Sequence, residues 1–200
     1  MEVKQVKVGA LDNFVYVSWD PESKEGFIVD SCEPEIIRDA VNGLKIKYII
    51  LTHRHFDHTH GCKELAEELN AKIVAHRFSS AFHHIGVDDG AELRAGNIRI
   101  KILHTPGHTE DSICILAEGK LFTGDTLFVG ECGRTDLPGG SSEMLYHSLF
   151  EKILRLDDGV EVYPGHDYGE MPVSTIGYER VHNYTLKPRT LEEFIKFMEE

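Results

Sequence analysis

Residues Leu51 to Gly61 read LTHRHFDHTHG and place His53, His55, Asp57 and His58 within six positions. Imidazole nitrogen and carboxylate oxygen are ligands for zinc, iron or manganese, whereas thiolate-rich sets favour structural zinc. The segment follows KIKYIIL, a β-branched run that reads as a buried strand ending near Leu51. Ligands emerging from such a strand stand on a rigid base, and the loop beyond can turn several of them toward one point. A solvated His-rich loop is the bland alternative. Chance would assemble this order of residues only about 0.3% of the time, so the metal reading takes precedence.

The segment cannot by itself supply two ions, and three further ligand types stand at later strand ends. His108 lies in HTPGHTEDS, Asp125 in LFTGDTLF and His166 in YPGHDYG, with Gly107, Gly124 and Gly165 beside them. Glycine lets backbone approach closely or take up a positive φ. Any one of these residues alone reads more simply as a hydrogen-bonded or solvated side chain. The recurrence of strand, glycine and ligand argues for one shared centre. His60, His76, His83, His84, His104, His147 and His182 fit no ligand position and read as surface or packing residues. Asp30, which ends GFIVD, reads equally as a turn cap or as a carboxylate bonded into the His-rich loop.

The elements that must carry these residues follow from periodicity. A strand meander covers VKQVKVG, NFVYVSW and GFIVD, and a helix fits EPEIIRDAVN with Pro34 in its first turn and Gly43 as its stop. After the His-rich loop come a helix over GCKELAEELN and a strand AKIVAH. NIRIKILHT is a further strand, and SICILAEG with KLFTGD forms a hairpin joined at Glu118-Gly119. SSEMLYHSLFEKILRL predicts an amphipathic helix through Leu145, Leu149, Ile153 and Leu156, VEVYPGHD is the last strand, and STIGYERVHN and TLEEFIKFMEE are closing helices. Two strand-rich halves with intervening helices predict an α/β fold, a four-layer αβ/βα sandwich, as a single domain over 1–200.

Composition narrows the function classes. The 200 residues are 41% hydrophobic and 28% charged, as in a soluble globular chain. A formal net charge of −13 argues against nucleic acid as a partner, which requires a basic face. No run approaches the roughly 18 apolar residues of a membrane span, and MEVKQVKVGALDN lacks a signal-peptide core, so the expected location is cytoplasmic. Cys32, Cys62, Cys114 and Cys132 form no CxxC pair and read as free thiols.

Taken together, HRHFDH, HTPGHT, TGDTLF and YPGHDYG resemble the metallo-β-lactamase superfamily over nearly the whole chain. GDTLFVGECGRTDLPGGS and STIGYERVHN are similar to its glyoxalase II and persulfide dioxygenase branches, and LYHSLFEKI with YPGHDYG…VST to the latter. The resemblance implies a first metal on His53, His55 and His108, a second on Asp57, His58 and His166, and Asp125 bridging them. It implies first a glyoxalase II-like hydrolase with two divalent ions, zinc foremost and iron or manganese as other fits. Such an enzyme cleaves a thioester with metal-bound hydroxide, and Asp57 both binds metal and orients the nucleophile. The alternative it implies is a persulfide dioxygenase with one Fe(II) on His53, His108 and Asp125, leaving positions for O₂ and a sulfane sulfur. A metal-binding protein without catalysis is a third class. The resemblance also places Arg134 and Tyr168 against the thiol carrier, and the Gly130–Gly140 loop reads as a pocket border. The expected partner is a small thiol-derived molecule; a homo-oligomer is compatible with this reading.

Overall fold

The computed structural model describes residues 1–200. In chain order the elements are β1 (Glu2–Val8), β2 (Asn13–Trp19), β3 (Glu25–Val29), α1 (Pro34–Ala40), β4 (Lys45–Ile50), α2 (Phe56–Thr59), α3 (Cys62–Leu69), β5 (Lys72–His76), β6 (Ile85–Val87), β7 (Glu92–Ala95), β8 (Ile98–His104), β9 (Ile113–Ala117), β10 (Lys120–Gly124), α4 (Ser142–Tyr146), β11 (Glu161–Pro164), β12 (Ser174–Thr175), α5 (Ile176–His182) and α6 (Leu191–Glu199). They build two six-stranded sheets, ordered β1-β2-β3-β4-β5-β6 and β12-β11-β10-β9-β8-β7. The first is antiparallel from β1 to β3 and parallel from β3 to β6.

Alternation along the strands divides the apolar residues into three layers. Phe14, Tyr16, Phe27, Ile50, Ile100, Ile102, Ile113, Ile115 and Phe122 lie between the sheets. Val15, Val17, Ile28 and Ile49 face the other way, against Ile37 of α1 and Leu65 of α3. Cys114, Leu121 and Val162 face outward from the second sheet, against Leu145, Leu149, Ile153, Ile176 and Phe194. Because a strand has a side-chain period of two, each central strand contributes to two of these layers. The result is the four-layer αβ/βα sandwich. All four cysteines are free thiols, and no helix is long and apolar enough to cross a membrane.

Three local features differ from the periodicity reading. The helix after Ser141 is α-helical only to Tyr146, then widens to a π-helical turn over His147–Lys152 and tightens to a 3-10 turn over Ile153–Arg155. Leu145, Leu149 and Ile153 recur every four residues and are all fully buried. A 3.6-residue turn would rotate them off one line, and the wider turn keeps all three on the sheet. The short strands β6 and β7 lie where no periodicity announces them. After β11 the chain adds β12, a two-residue strand that pairs back at Glu161 and Val162. The β9–β10 hairpin turns at Glu118-Gly119 as expected, both residues having positive φ.

Phe122 meets Tyr16 and Phe27 in the middle layer, with ring centroids 5.1 and 6.0 Å away. Phe122→Ala is expected to cost about 3–5 kcal/mol, read as a lower urea midpoint with unchanged denaturant dependence.

Candidate metal centre

One rim of the sandwich collects the ends of β4, β8, β10 and β11, and backbone hydrogen bonds bind the two sheets together there. Ile113 N–H donates to Thr52 O at 2.8 Å and Phe14 N–H to Gly165 O at 2.8 Å, while Gly165 N–H donates within the second sheet to Gly124 O at 2.8 Å. The glycines expected beside the ligands have a steric reason. Gly124 has φ +50°, and a Cβ on Gly165 would stand 2.5 Å from Asp125 Oδ1.

The seven residues singled out from the sequence converge at this rim. His53 Nε2 and His108 Nε2 each lie 3.0 Å from His55 Nδ1. Beside that group, His58 Nε2 is 3.1 Å from His166 Nε2, and Asp57 Oδ2 is 3.3 and 3.5 Å from the same two nitrogens. Asp125 stands between the groups. Its Oδ1 is 3.3 Å from His58 Nε2, and its Oδ2 is 3.5 Å from His108 Nε2 and 3.3 Å from His166 Nε2.

The far side of four rings fixes what the near side presents. His108 Nδ1–H donates to the Arg134 carbonyl and His166 Nδ1–H to the Leu11 carbonyl, both at 2.8 Å. His58 Nδ1–H donates to Asp30 Oδ2 at 2.8 Å. Thr52 Oγ1 donates to Asp30 at 2.8 Å and accepts from His53 Nδ1–H at 3.0 Å. A neutral imidazole carries one proton, so in the neutral form each of these rings turns a bare Nε2 lone pair into the cluster. Lone pairs about 3 Å apart repel unless a cation lies among them. Asp125 Oδ1 is buried and accepts no hydrogen bond, an orphaned acceptor of the kind a cation would satisfy. The donor set of imidazoles and carboxylates fits a divalent zinc, iron or manganese ion. Three overlapping groups of ligand atoms are close enough to hold one: His53–His55–His108, His53–His58–Asp125 and Asp57–His58–His166.

Electrostatics point the same way. Burial and the neighbouring His58 hold His53 well below the ordinary imidazole value, so it is neutral. Burial pushes the Asp125 carboxyl up, but His58, His166 and His53 outweigh it and keep the group below the usual carboxylate range. Burial also works against charge on His58, yet Asp125 and Asp30 raise it well above the ordinary value. Positive charge is what this position calls for.

Asp30 therefore turns out to be bonded into the His-rich loop: it is buried, accepts from Thr52 N–H at 2.7 Å, and orients His53 and His58. Sequence reading missed Asn13, whose Nδ2 donates to Asp57 Oδ2 at 2.9 Å, and the carbonyls of Leu11 and Arg134. Main-chain acceptors leave no mark in a sequence. Of the other histidines none joins the cluster; His76 and His104 stack on each other at 4.0 Å.

The cluster forms the floor of a cavity of about 310 Å³ whose walls include Leu11, Phe128, Cys132, Arg134, Leu137 and Tyr168. The structure thus puts Arg134 and Tyr168 at the same pocket, and the Gly130–Gly140 loop does border it. Tyr168 is half exposed and stacks on His166 at 4.7 Å. Arg134 is exposed and forms a bidentate pair with Asp136, both bonds at 2.5 Å.

The fold is that of the metallo-β-lactamase superfamily, and the family model described as "Metallo-beta-lactamase superfamily" matches residues 17–166. The chain belongs to that superfamily. It is 36% identical over 195 residues to the human mitochondrial persulfide dioxygenase ETHE1, covering 92% of this chain and 75% of that one. It is 36% identical over 161 residues to a hydroxyacylglutathione hydrolase of Anaeromyxobacter dehalogenans, covering 78% and 62%. The crystal structure of ETHE1 from Myxococcus xanthus superposes with a TM-score of 0.93 at 33% identity, covering 100% of this chain and 91% of that one.

Asp30→Asn keeps an acceptor for Thr52 N–H but turns an amide N–H toward the His58 ring. Metal affinity, read by competition with a chelator, is expected to fall about 10- to 100-fold with the circular dichroism unchanged. Unchanged affinity would contradict the role given to the acceptors.

Proposed function

We propose that this chain is a thiol-persulfide dioxygenase that uses one Fe(II) and O₂. The supporting observation is where the similarity runs. The match to the human persulfide dioxygenase combines 36% identity with 92% of the chain, whereas the hydroxyacylglutathione hydrolase reaches 36% over only 78% and two probable zinc-dependent hydrolases of Bacillus cover 92% and 98% at 31%. This reverses the order in which the two readings stand on sequence alone.

His53 Nε2, His108 Nε2 and Asp125 Oδ2 would hold the iron. Ferrous ion held by two imidazoles and a carboxylate keeps positions for O₂ and for a sulfane sulfur. The remaining work falls to the chain. The carbonyl of Arg134 keeps the His108 lone pair aimed inward. The Arg134 guanidinium, at the pocket wall, exchanges Asp136 for a carboxylate of the thiol carrier, to which its planar fork is matched. Phe128, Leu11 and Tyr168 keep water from the reacting sulfur. We propose a small thiol-derived substrate and a cytoplasmic setting; the human relative is by name mitochondrial.

A second reading, thioester hydrolysis of the glyoxalase II-like type, is favoured by one feature. Asp57, His58 and His166 converge within 3.1–3.5 Å, almost as tightly as the first group, and Asp125 faces both. Two ions would supply Lewis acidity and a water of lowered pKa. Asp57, held by Asn13, is placed to orient that attacking water.

Two measurements on purified protein separate the readings. Oxygen consumption with glutathione persulfide at one iron per chain is expected. Loss of S-lactoylglutathione thioester absorbance without oxygen uptake would overturn the proposal. Asp125→Ala is expected to abolish activity under either reading, and near-normal turnover would remove the whole site assignment. His166→Ala is expected to lower kcat mildly in the mono-iron enzyme, whereas severe loss would favour the dinuclear hydrolase.

A further inference from the structure

The C-terminal segment STIGYERVHN lies outside the metal cluster, yet two of its side chains reach the pocket wall. Glu179 is fully buried. Its Oε1 accepts from Ser174 Oγ at 2.6 Å, and its Oε2 accepts from Gly130 N–H at 2.9 Å and from Asn183 Nδ2 at 2.7 Å. Asn183 follows α5 four residues later, and its Nδ2 also donates to the carbonyls of Glu131 at 3.0 Å and Phe128 at 3.4 Å. Its Oδ1 is engaged elsewhere, accepting from Thr185 N–H and Oγ1 at 2.9 and 2.6 Å.

An acceptor and a donor spaced i, i+4 therefore meet the donor and the acceptors of one tight turn. That turn is closed by Phe128 N–H on Glu131 O at 2.9 Å and by the bridge between Leu127 and Cys132. What it carries is the pocket wall. The Phe128 ring lies edge-on to Tyr168 at 5.3 Å and to His166 at 5.8 Å, and Glu131, Cys132 and Arg134 follow along the cavity. A carboxylate buried this completely costs free energy unless its acceptor sites are filled, and here three donors fill them.

We propose that Glu179 and Asn183 are positioning residues that lock the 128–131 turn and so set the affinity of the pocket for its thiol carrier. They touch neither substrate nor metal ligands. The inference rests on the cavity above the cluster being the substrate site, whichever of the two reactions takes place there.

The test is Glu179→Ala beside Glu179→Gln. Gln retains an acceptor for Gly130 N–H and can donate to Ser174 Oγ, so it should behave within about two-fold of the parent chain. Ala should raise KM about ten-fold, with kcat and metal content nearly unchanged, for whichever of glutathione persulfide or S-lactoylglutathione the parent chain consumes. Amide exchange of residues 127–134 should accelerate in the Ala variant alone. A merely structural carboxylate predicts the reverse: lower thermal stability with KM unmoved. That result overturns the proposal, as does a joint fall of kcat and metal content, or a Gln variant as impaired as Ala. Should Glu179→Ala not fold, Asn183→Ser keeps a hydroxyl acceptor for Thr185 N–H and removes the donor to the turn without adding charge, and the same rise in KM is expected. The exchange measurement needs no substrate. Unaltered protection of 127–134 therefore counts against the latch even if neither compound is turned over.

Discussion

The structure is organised around a group of electron pairs that cannot stay together unaided. The Nε2 atoms of four imidazoles, one Nδ1 and two carboxylates point into one small volume, with neighbouring atoms about 3.0–3.5 Å apart. Nothing inside the cluster donates to them all, and four of the five rings, those of His53, His58, His108 and His166, are held facing inward by an acceptor behind them. Protonation can relieve part of this repulsion, and a divalent ion relieves more, because it accepts several pairs at once. Affinity for metal is thus built by the acceptors on the far side of the rings as much as by the rings themselves.

Those acceptors explain why the fold needs two sheets. Asp30 and Thr52 belong to the strand ends of the first sheet, while the ligand loops of His108, Asp125 and His166 leave the second. The carbonyl behind His166 comes from Leu11, in the turn between β1 and β2. The layer between the sheets, centred on Tyr16, Phe27 and Phe122, fixes the separation of the two rims. Tyr16 itself donates to Pro164 O at 2.6 Å, just ahead of Gly165 and His166. Outer helices complete the burial, and α5 with the residue that follows it reaches back through Glu179 and Asn183 to hold the pocket wall.

Much of this was legible in the sequence, and physics explains which parts. HRHFDH, and the Gly-flanked His108, Asp125 and His166, are visible because ligand chemistry resides in side-chain type. The central strands are visible because β-branched residues alternate between two apolar layers. Asp30 was half legible: its position at the end of β3 suggested a capping or a bonding role, and only the approach of β4 decides between them. The carbonyls of Leu11 and Arg134 were not legible, since every residue has one and only tertiary placement selects these. Strands β6, β7 and β12 are too short to show a period. The π-helical turn was hidden because a four-residue interval reads as α-helix until three successive members are seen buried on one line.

Anomalous diffraction from crystals of the metal-loaded chain, recorded on both sides of the iron and zinc edges, tests the central claim most directly. The account predicts an iron peak within coordination distance of His53 Nε2, His108 Nε2 and Asp125 Oδ2, with the Nδ1 atoms of His53, His58, His108 and His166 still on their present acceptors. A cluster without any peak, or rings turned so that Nδ1 rather than Nε2 faces inward, would contradict it.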